Sequence, residues 1–173
     1  DGETMNNPLR SAPDSRLQRI AGPCGIVLFG ITGDLAQRKI LPALYDLANR
    51  GLLPPSFAIV GVARRHIENI EEVVEASIRR GAKTAVTSTT LSQLLSGLHL
   101  VEGQFDDDAT YQLLANTLAD VDHARGTGGN WAFYLSIPPA LFPTVLGGLG
   151  RAGLQAGEED GWRRVVVEKP FGH

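Results

Sequence analysis

Residues 25–36 read GIVLFGITGDLA, an apolar run followed by a turn of small residues and the start of a helical pattern. The apolar run has the length and composition of a buried β-strand. Glycine lets a backbone approach a phosphate closely, and a helix that begins there offers free amides and a partial positive charge. The stretch therefore predicts a strand, turn and helix suited to a pyrophosphate. A tight turn without a ligand remains the alternative on this segment alone.

The rest of the chain repeats this alternation of strand and helix. Short apolar runs alternate with segments of helical spacing, which is typical of βαβ units around a parallel sheet. We predict an α/β fold of the Rossmann type with three layers and a doubly wound parallel sheet of five strands in the order 3-2-1-4-5. The predicted strands are residues 26–30, 57–62, 99–102, 131–137 and 164–168.

Five helices are predicted between these strands. They are residues 34–49, 67–80, 91–96, 107–119 and 139–149. Pro42 lies inside the first helix, where a proline removes a backbone donor and crowds the preceding turn. We therefore expect a kink there, or a helix that starts again near residues 39–42. The Ser- and Thr-rich residues 84–90 are expected to form a connection.

Composition and charge exclude several classes of protein. The chain has 173 residues, 43% of them hydrophobic and 20% charged, which suits one globular domain. No apolar run reaches the roughly 18 to 20 residues of a membrane-spanning helix. The formal net charge is −3 and no block of Lys or Arg stands out, so nucleic acid is a poor candidate partner. No cluster of His, Cys and carboxylates has the spacing of a metal site.

The start of the chain and its single cysteine indicate a setting and a domain boundary. Residues 1–22 lack the order of a secretory signal and have no sustained periodicity, so we expect a mobile leader before a domain at 23–173. Cys24 has no partner for an internal disulfide. We therefore expect a reducing, cytoplasmic environment.

The turn after the first strand matches the generic nucleotide motifs only in part. In the dinucleotide fingerprint G-x-G-x-x-G/A, Gly33 and Ala36 occupy the second and third small positions, while Ile31 occupies the first. A P-loop fits worse, because Ile31 also stands where its phosphate-binding lysine is required.

The second predicted strand ends in two arginines, Arg64 and Arg65. In a dinucleotide fold this position faces the adenosine ribose, where a carboxylate favours NAD and an arginine accommodates the 2′-phosphate of NADP. Two arginines and no acid at this strand end favour NADP. A solvated basic pair is the alternative.

The last predicted strand presents Glu168 and Lys169 at its carboxyl end, followed by Pro170. Ligands of open α/β sheets bind at that edge, and a lysine there can bind an anionic group or donate to a reacting hydroxyl. Pro170 restricts the backbone of Lys169 to extended geometry and leaves both isomers of the Lys169–Pro170 bond open. A solvated lysine is the alternative.

Four motifs together resemble the glucose-6-phosphate dehydrogenase family. They are the turn at 30–36, the strand end at 61–64, the FYLSIPP run at 133–139 and EKPFG at 168–172. The resemblance covers residues from about 25 to the last. It implies oxidation of glucose 6-phosphate at C1 by hydride transfer to NADP, giving 6-phosphogluconolactone, the first oxidative step of the pentose phosphate pathway. Some bacterial members also accept NAD.

The resemblance also implies roles for individual residues. The turn under the pyrophosphate comprises Gly30, Ile31, Thr32, Gly33, Asp34, Leu35, Ala36 and Gln37. Arg64 corresponds to the ligand of the 2′-phosphate, and Tyr134 to an aromatic of the cofactor pocket, although a core aromatic is the alternative for Tyr134. Gln104 and Phe105 match loosely, near the adenine or ribose. Lys169 corresponds to a lysine that contacts the sugar substrate and lies near the nicotinamide.

In this family the motif that holds the substrate phosphate, and the histidine that acts as general base, follow beyond the residue where this chain stops. The resemblance assigns none of the chemistry to His66, His99, His123 or His173. We therefore expect no catalytic residue and no appreciable turnover in this chain, and a homo-oligomer for the intact enzyme. We also expect an open edge at the fifth strand, since further strands normally cover it.

Two other functions remain open. The chain could be a freestanding NADP-binding or sensing module, or part of a two-domain sugar oxidoreductase that also carries a Glu-Lys-Pro strand end. Enzymes of the second kind usually keep an intact G-x-G-x-x-G. The Gly-Asp-Leu-Ala turn at residues 33–36 and the Pro-Phe-Gly run at residues 170–172 therefore disfavour the second function.

Overall fold

The computed structural model describes residues 22–156 and 161–168. The predicted leader up to residue 21 lies outside the described residues. So do Lys169, the Lys169–Pro170 bond and His173.

A five-stranded sheet forms the centre of the molecule. Its strands are β1 (Gly25–Phe29), β2 (Ala58–Ala63), β3 (Leu98–Glu102), β4 (Trp131–Leu135) and β5 (Arg163–Val167). Their order is β3-β2-β1-β4-β5 and every neighbouring pair is parallel, so the predicted fold and strand order are confirmed. All residues of β1, β2 and β4 are buried. At the β5 edge of the described sheet, Val165 and Val167 are exposed.

Helices cover both faces of the sheet. They are α1 (Leu41–Asn49), α2 (Ile70–Gly81), α3 (Ser88–Leu95), α4 (Asp108–Arg125) and α5 (Phe142–Arg151). Alternate residues of β1 enter two separate apolar clusters, Ile26 and Leu28 on one face and Val27 and Phe29 on the other. The first cluster includes residues of α1, α2 and α3, and the second includes residues of α4 and α5. This alternation produces the three predicted layers.

Capping residues move several helix ends from their predicted positions. α2 begins three residues later than predicted, because the Asn69 side chain accepts a hydrogen bond from the Glu72 amide. α3 begins three residues earlier, because the Thr87 side chain caps it, and residues 88–90 are therefore helical, which corrects the predicted connection. α4 continues to Arg125, beyond the predicted residue 119, and ends at Gly126, whose φ is 73°.

The first helix changes its geometry at Pro42, as predicted. Residues Ala36–Ile40 form a π-helical turn that closes with a hydrogen bond from the Leu41 amide to the Ala36 carbonyl, and α1 follows. The next bond of this kind would come from Pro42, which has no N–H. The Gln37 carbonyl instead accepts a hydrogen bond from the buried Ser77 hydroxyl of α2. Because of this proline, a hydrogen bond from Ser77 links α2 to the helix start after β1.

Among residues 22–156 and 161–168, no helix combines the length and apolar character needed to cross a membrane. The same residues contain no group of three or more His, Cys, Asp or Glu side chains that could hold a metal ion.

The thiol of Cys24 provides a test of how the chain enters β1. Cys24 is 1% exposed and burial raises the pKa of its thiol to about 12. Since the thiolate is the reactive form, we expect a disulfide reagent to leave the native chain unmodified for hours at about pH 8. Unfolding in guanidinium should then expose one equivalent of reactive thiol, because this is the chain's single cysteine. Rapid absorbance change in native buffer would contradict the burial of Cys24.

Candidate functional site

The predicted site residues follow the carboxyl ends of neighbouring strands. The turn at 30–37 follows β1, the loop at 64–67 follows β2, and residues 103–105 follow β3. Residues 136–138 follow β4, and Glu168 follows β5. In sheets of this kind a crevice forms at this edge where the strand order reverses, here between β1 and β4.

The turn after β1 is wedged between β2 and β4. The Gly30 amide donates to the Val62 carbonyl at 3.0 Å, and the Gly33 amide donates to the Gly30 carbonyl at 2.8 Å. Gly30 has a φ of 83°, and a Cβ there would lie 2.3 Å from the Ser136 carbonyl oxygen. A side chain at Gly30 is therefore excluded both by the conformation and by the neighbouring strand.

Ile31 explains the imperfect fingerprint. It is fully buried, and a Cβ at Gly61 of β2 would lie only 2.4 Å from the Ile31 Cδ1 atom. The isoleucine therefore packs into the core through the gap that Gly61 leaves, and it anchors the turn from below. On the side of the turn away from the core lie backbone atoms and the exposed residues Thr32 and Asp34.

Gln37 closes the other side of the turn. Its Nε2 donates to the Thr32 carbonyl at 2.9 Å, while its main-chain carbonyl is held by Ser77. Asp34, in the first turn of the helical segment, forms an exposed ion pair with Arg38 at 3.2 Å. The turn thus presents a helix start whose surrounding backbone is fixed on both sides.

Arg64 is held from the end of β3. Its guanidinium lies 5.4 Å from the centre of the Phe105 ring, and the Gln104 Nε2 donates to its carbonyl at 3.0 Å. Phe105 is buried, and its own carbonyl accepts a hydrogen bond from Tyr111 at 2.7 Å. The structure therefore brings three predicted residues together, with Gln104 and Phe105 contacting Arg64.

Sequence reasoning missed the carboxylate of Glu102. One of its oxygens lies 3.0 Å from His66 Nδ1 and accepts from the Ile67 amide at 2.9 Å. These two bonds, that of Ile67 first, lower the pKa of the Glu102 carboxyl. Glu102 ends β3, not β2, and it pairs in register with Ala63, the last residue of β2. Its position at the end of a strand next to β2 was the available signal.

Tyr134 connects β4 to the end of β5. It is 7% exposed and its hydroxyl donates to the Glu168 carboxylate. Burial, and then the hydrogen bond and charge of Glu168, raise the pKa of the Tyr134 hydroxyl well above its usual range. Tyr134 therefore stays neutral. Its hydroxyl donates its one hydrogen bond to Glu168, the residue that precedes Lys169 in the sequence.

Ser136 has a buried hydroxyl without a partner. It follows β4, is 6% exposed, and its Oγ has no hydrogen bond among the described residues. Its amide donates to the Phe29 carbonyl at 3.0 Å, which places it beside the Gly30 turn. Leaving a buried polar group unsatisfied costs about 1–3 kcal/mol. Ser136 lay inside a recognised motif, but sequence reasoning assigned it no role.

Known proteins match this chain along most of its length. A family model described as glucose-6-phosphate dehydrogenase, NAD binding domain, matches residues 27–173. Glucose-6-phosphate 1-dehydrogenase 2 of Mycobacterium bovis is 52% identical over 172 residues, which cover 98% of this chain and 34% of that protein. The chain spans about a third of the length of the curated relatives it matches.

Two solved structures share the fold. A crystal structure of glucose-6-phosphate 1-dehydrogenase from Mycobacterium avium superposes with a TM-score of 0.72 and 30% identity, covering 88% of this chain and 31% of that one. A glucose-6-phosphate dehydrogenase in complex with its substrate glucose 6-phosphate gives a TM-score of 0.74 and 29% identity, covering 90% of this chain and 32% of that one.

Substitution of Gly61 tests the anchoring of the turn by Ile31. In Gly61→Ala the new methyl overlaps the Ile31 side chain, so we expect a loss of about 1–3 kcal/mol in the free energy of unfolding. The control is Gly150→Ala in α5, where a Cβ meets nothing within 4 Å, and there we expect equal or slightly higher stability. Chemical denaturation measures both. Equal stability of the two variants would contradict the packing of Ile31 against Gly61.

Proposed function

Because the chain belongs to the family of the glucose-6-phosphate dehydrogenase NAD binding domain, we propose that it is the cofactor-binding part of an enzyme that oxidises glucose 6-phosphate at C1 with NADP. The product of that reaction is 6-phosphogluconolactone. The observation that carries this proposal is the position of Arg64, fixed over Phe105 at the strand end beside the glycine turn.

The residues at the carboxyl edge fit a dinucleotide. Gly30 leaves its Cβ position empty against the neighbouring strand, and the helix start after Gly33 offers amides to a pyrophosphate. The Ser136 backbone borders this turn, since its amide donates to the Phe29 carbonyl. Among the described residues its buried hydroxyl has no hydrogen-bond partner, and in this proposal a polar group of the ligand supplies one. NADP, when bound, supplies a nicotinamide ring that accepts hydride from the sugar.

The chain's own residues bind and orient that cofactor. In this proposal the turn from Gly30 to Gln37 holds the pyrophosphate and Arg64 holds the 2′-phosphate. A guanidinium binds phosphate oxygens by charge-assisted hydrogen bonds, which the free ribose hydroxyl of NAD cannot replace. Gln104 and Phe105 support Arg64, and Tyr134 borders the nicotinamide end.

The substrate end of the site is assigned to Lys169. The hydrogen bond from Tyr134 to Glu168 holds the end of β5, from which the chain continues to Lys169. A related structure that contains glucose 6-phosphate supports this class of substrate. No general base is assigned here: His66 lies in the loop that carries Arg64, at the proposed 2′-phosphate end of the site, and His99 and His123 lie in β3 and α4. We therefore propose that this stretch alone does not turn over.

A freestanding NADP-binding module is the second candidate, since the residues that would hold the cofactor all lie in this chain. A coding sequence that continues in frame with an Arg-Ile-Asp-His motif would exclude the module. A cytoplasmic setting and a homo-oligomeric intact enzyme belong to the first proposal.

The choice between NADP and NAD is tested by Arg64→Ala. We expect this variant to lose about 10- to 100-fold in affinity for NADP, the equivalent of about 1.5–3 kcal/mol for hydrogen bonds to a charged group, and less than about twofold for NAD. Isothermal titration calorimetry of the 173-residue chain at matched ionic strength measures both. Arg50→Ala, an exposed arginine after α1, is the control and should bind like the wild type. Equal losses for the two cofactors would refute the assignment of Arg64.

The contribution of Ser136 is tested by Ser136→Ala. Since the hydroxyl has no partner among residues 22–156 and 161–168, we expect the free energy of unfolding to stay within about 0.5 kcal/mol or to rise. The affinity for NADP should fall by about three- to tenfold, the worth of one neutral hydrogen bond. The exposed Ser92→Ala is the control for both measurements. Unchanged affinity in Ser136→Ala would remove Ser136 from the site.

A further inference from the structure

We propose that Glu102 is a positioning residue that sets the preference for NADP, because its carboxylate fixes the loop that carries the 2′-phosphate ligand. This inference rests on the proposed function, since it takes Arg64 as that ligand. Nothing in the sequence motifs assigns a role to Glu102.

The loop at 64–67 is fixed at both ends by side chains from the end of β3. At its start, the Gln104 Nε2 donates to the Arg64 carbonyl at 3.0 Å. At its end, Glu102 accepts from the Ile67 amide at 2.9 Å and lies 3.0 Å from His66 Nδ1. Between these points Arg64, Arg65 and His66 are exposed. Without Glu102 the second attachment of this loop is lost.

Fixing this loop before the ligand arrives raises affinity. Ordering one residue's backbone costs about 1–2 kcal/mol, and a binding loop that is already ordered avoids that cost on association. The gain in affinity applies to a ligand whose 2′-phosphate binds Arg64. NAD lacks the 2′-phosphate and therefore depends little on the order of this loop.

The charge of Glu102 would oppose a phosphate if it were free. The charged or titratable residues in and next to the loop that Glu102 contacts are Arg64, Arg65, His66 and Glu68. The Glu102 carboxylate is already hydrogen-bonded to the Ile67 amide and the His66 ring, and these bonds lower the pKa of the Glu102 carboxyl. A carboxylate so engaged holds the loop and does not itself contact the nucleotide. Glu102 is for this reason a positioning residue.

Three variants of the 173-residue chain test the role of Glu102 by calorimetry with NADP and with NAD. Glu102→Ala removes the acceptor, whereas Glu102→Gln keeps an oxygen for the Ile67 amide and a donor for a neutral His66 ring. Glu68→Ala removes the same charge from an exposed position next to the loop. Amide hydrogen exchange of Ile67 reports the hydrogen bond directly.

We expect Glu102→Ala to weaken NADP binding by about five- to tenfold and NAD binding by less than about twofold, as loss of preorganisation predicts. Glu102→Gln and Glu68→Ala should stay near the wild type. The Ile67 amide should exchange at least about tenfold faster in Glu102→Ala only, because its acceptor is gone.

Three results would overturn the inference. The first is an unchanged ratio of the NADP and NAD affinities in Glu102→Ala, whether neither cofactor weakens or both weaken equally. The other two are a loss in Glu102→Gln, or in Glu68→Ala, equal to that in Glu102→Ala. The last two would attribute the effect to charge. A failure of the proposed function looks different, because the wild type then shows no preference for NADP or Arg64→Ala leaves that preference intact. If Arg64→Ala loses the preference for NADP but Glu102→Ala keeps it, only the role of Glu102 is refuted.

Discussion

The site depends on the close packing of the turn after β1 against its two neighbouring strands. Ile31 inserts its side chain over Gly61 of β2, while Gly30 lies against the Ser136 carbonyl after β4. Neither contact tolerates an added methyl group without displacement, since a Cβ at Gly61 or Gly30 would lie 2.4 or 2.3 Å from its neighbour. A backbone held this tightly can present its amides in one direction, which is what recognition of a pyrophosphate requires.

Side chains of adjacent segments hold the helix start after β1 and the loop after β2. Pro42 breaks the regular helical bonding, and Ser77 of α2 then satisfies the carbonyl of Gln37. On the other side, the end of β3 holds the loop after β2 through Glu102 and Gln104. The nucleotide-facing residues are thus on loops, but each loop is bonded to an element beside it. This arrangement combines the exposure that binding requires with the order that affinity requires.

Prediction of the fold succeeded where local signals were strong. The apolar runs that became β1, β2 and β4 were recognisable because strands buried on both faces lack polar residues. The helix ends were predicted less well. Asn69 and Thr87 act as caps. Near Thr87 the residues Thr84, Ser88, Thr89 and Thr90 had comparable propensity, so the hydrogen bond that is made decides the start of α3. At α2 the apolar spacing includes Ile67, two residues before the Asn69 cap, so the spacing alone placed the start too early. The roles of the glycine turn and of Arg64 stay predictions, which rest on glycine and arginine residues at the carboxyl ends of β1 and β2.

By itself the sequence determined the fold class and the family, because periodicity and short motifs are local properties of the chain, and the expected strand order followed from the fold class. Only the tertiary structure placed Glu102 against His66 and Ile67, Tyr134 against Glu168, and the Ser136 hydroxyl in a buried position where no described residue bonds to it. Each of these depends on which strands are neighbours and in what register, and the partners are 34 to 36 residues apart in the two pairs. Contacts of that kind leave no local pattern, since either partner alone is an ordinary polar residue at the end of a strand.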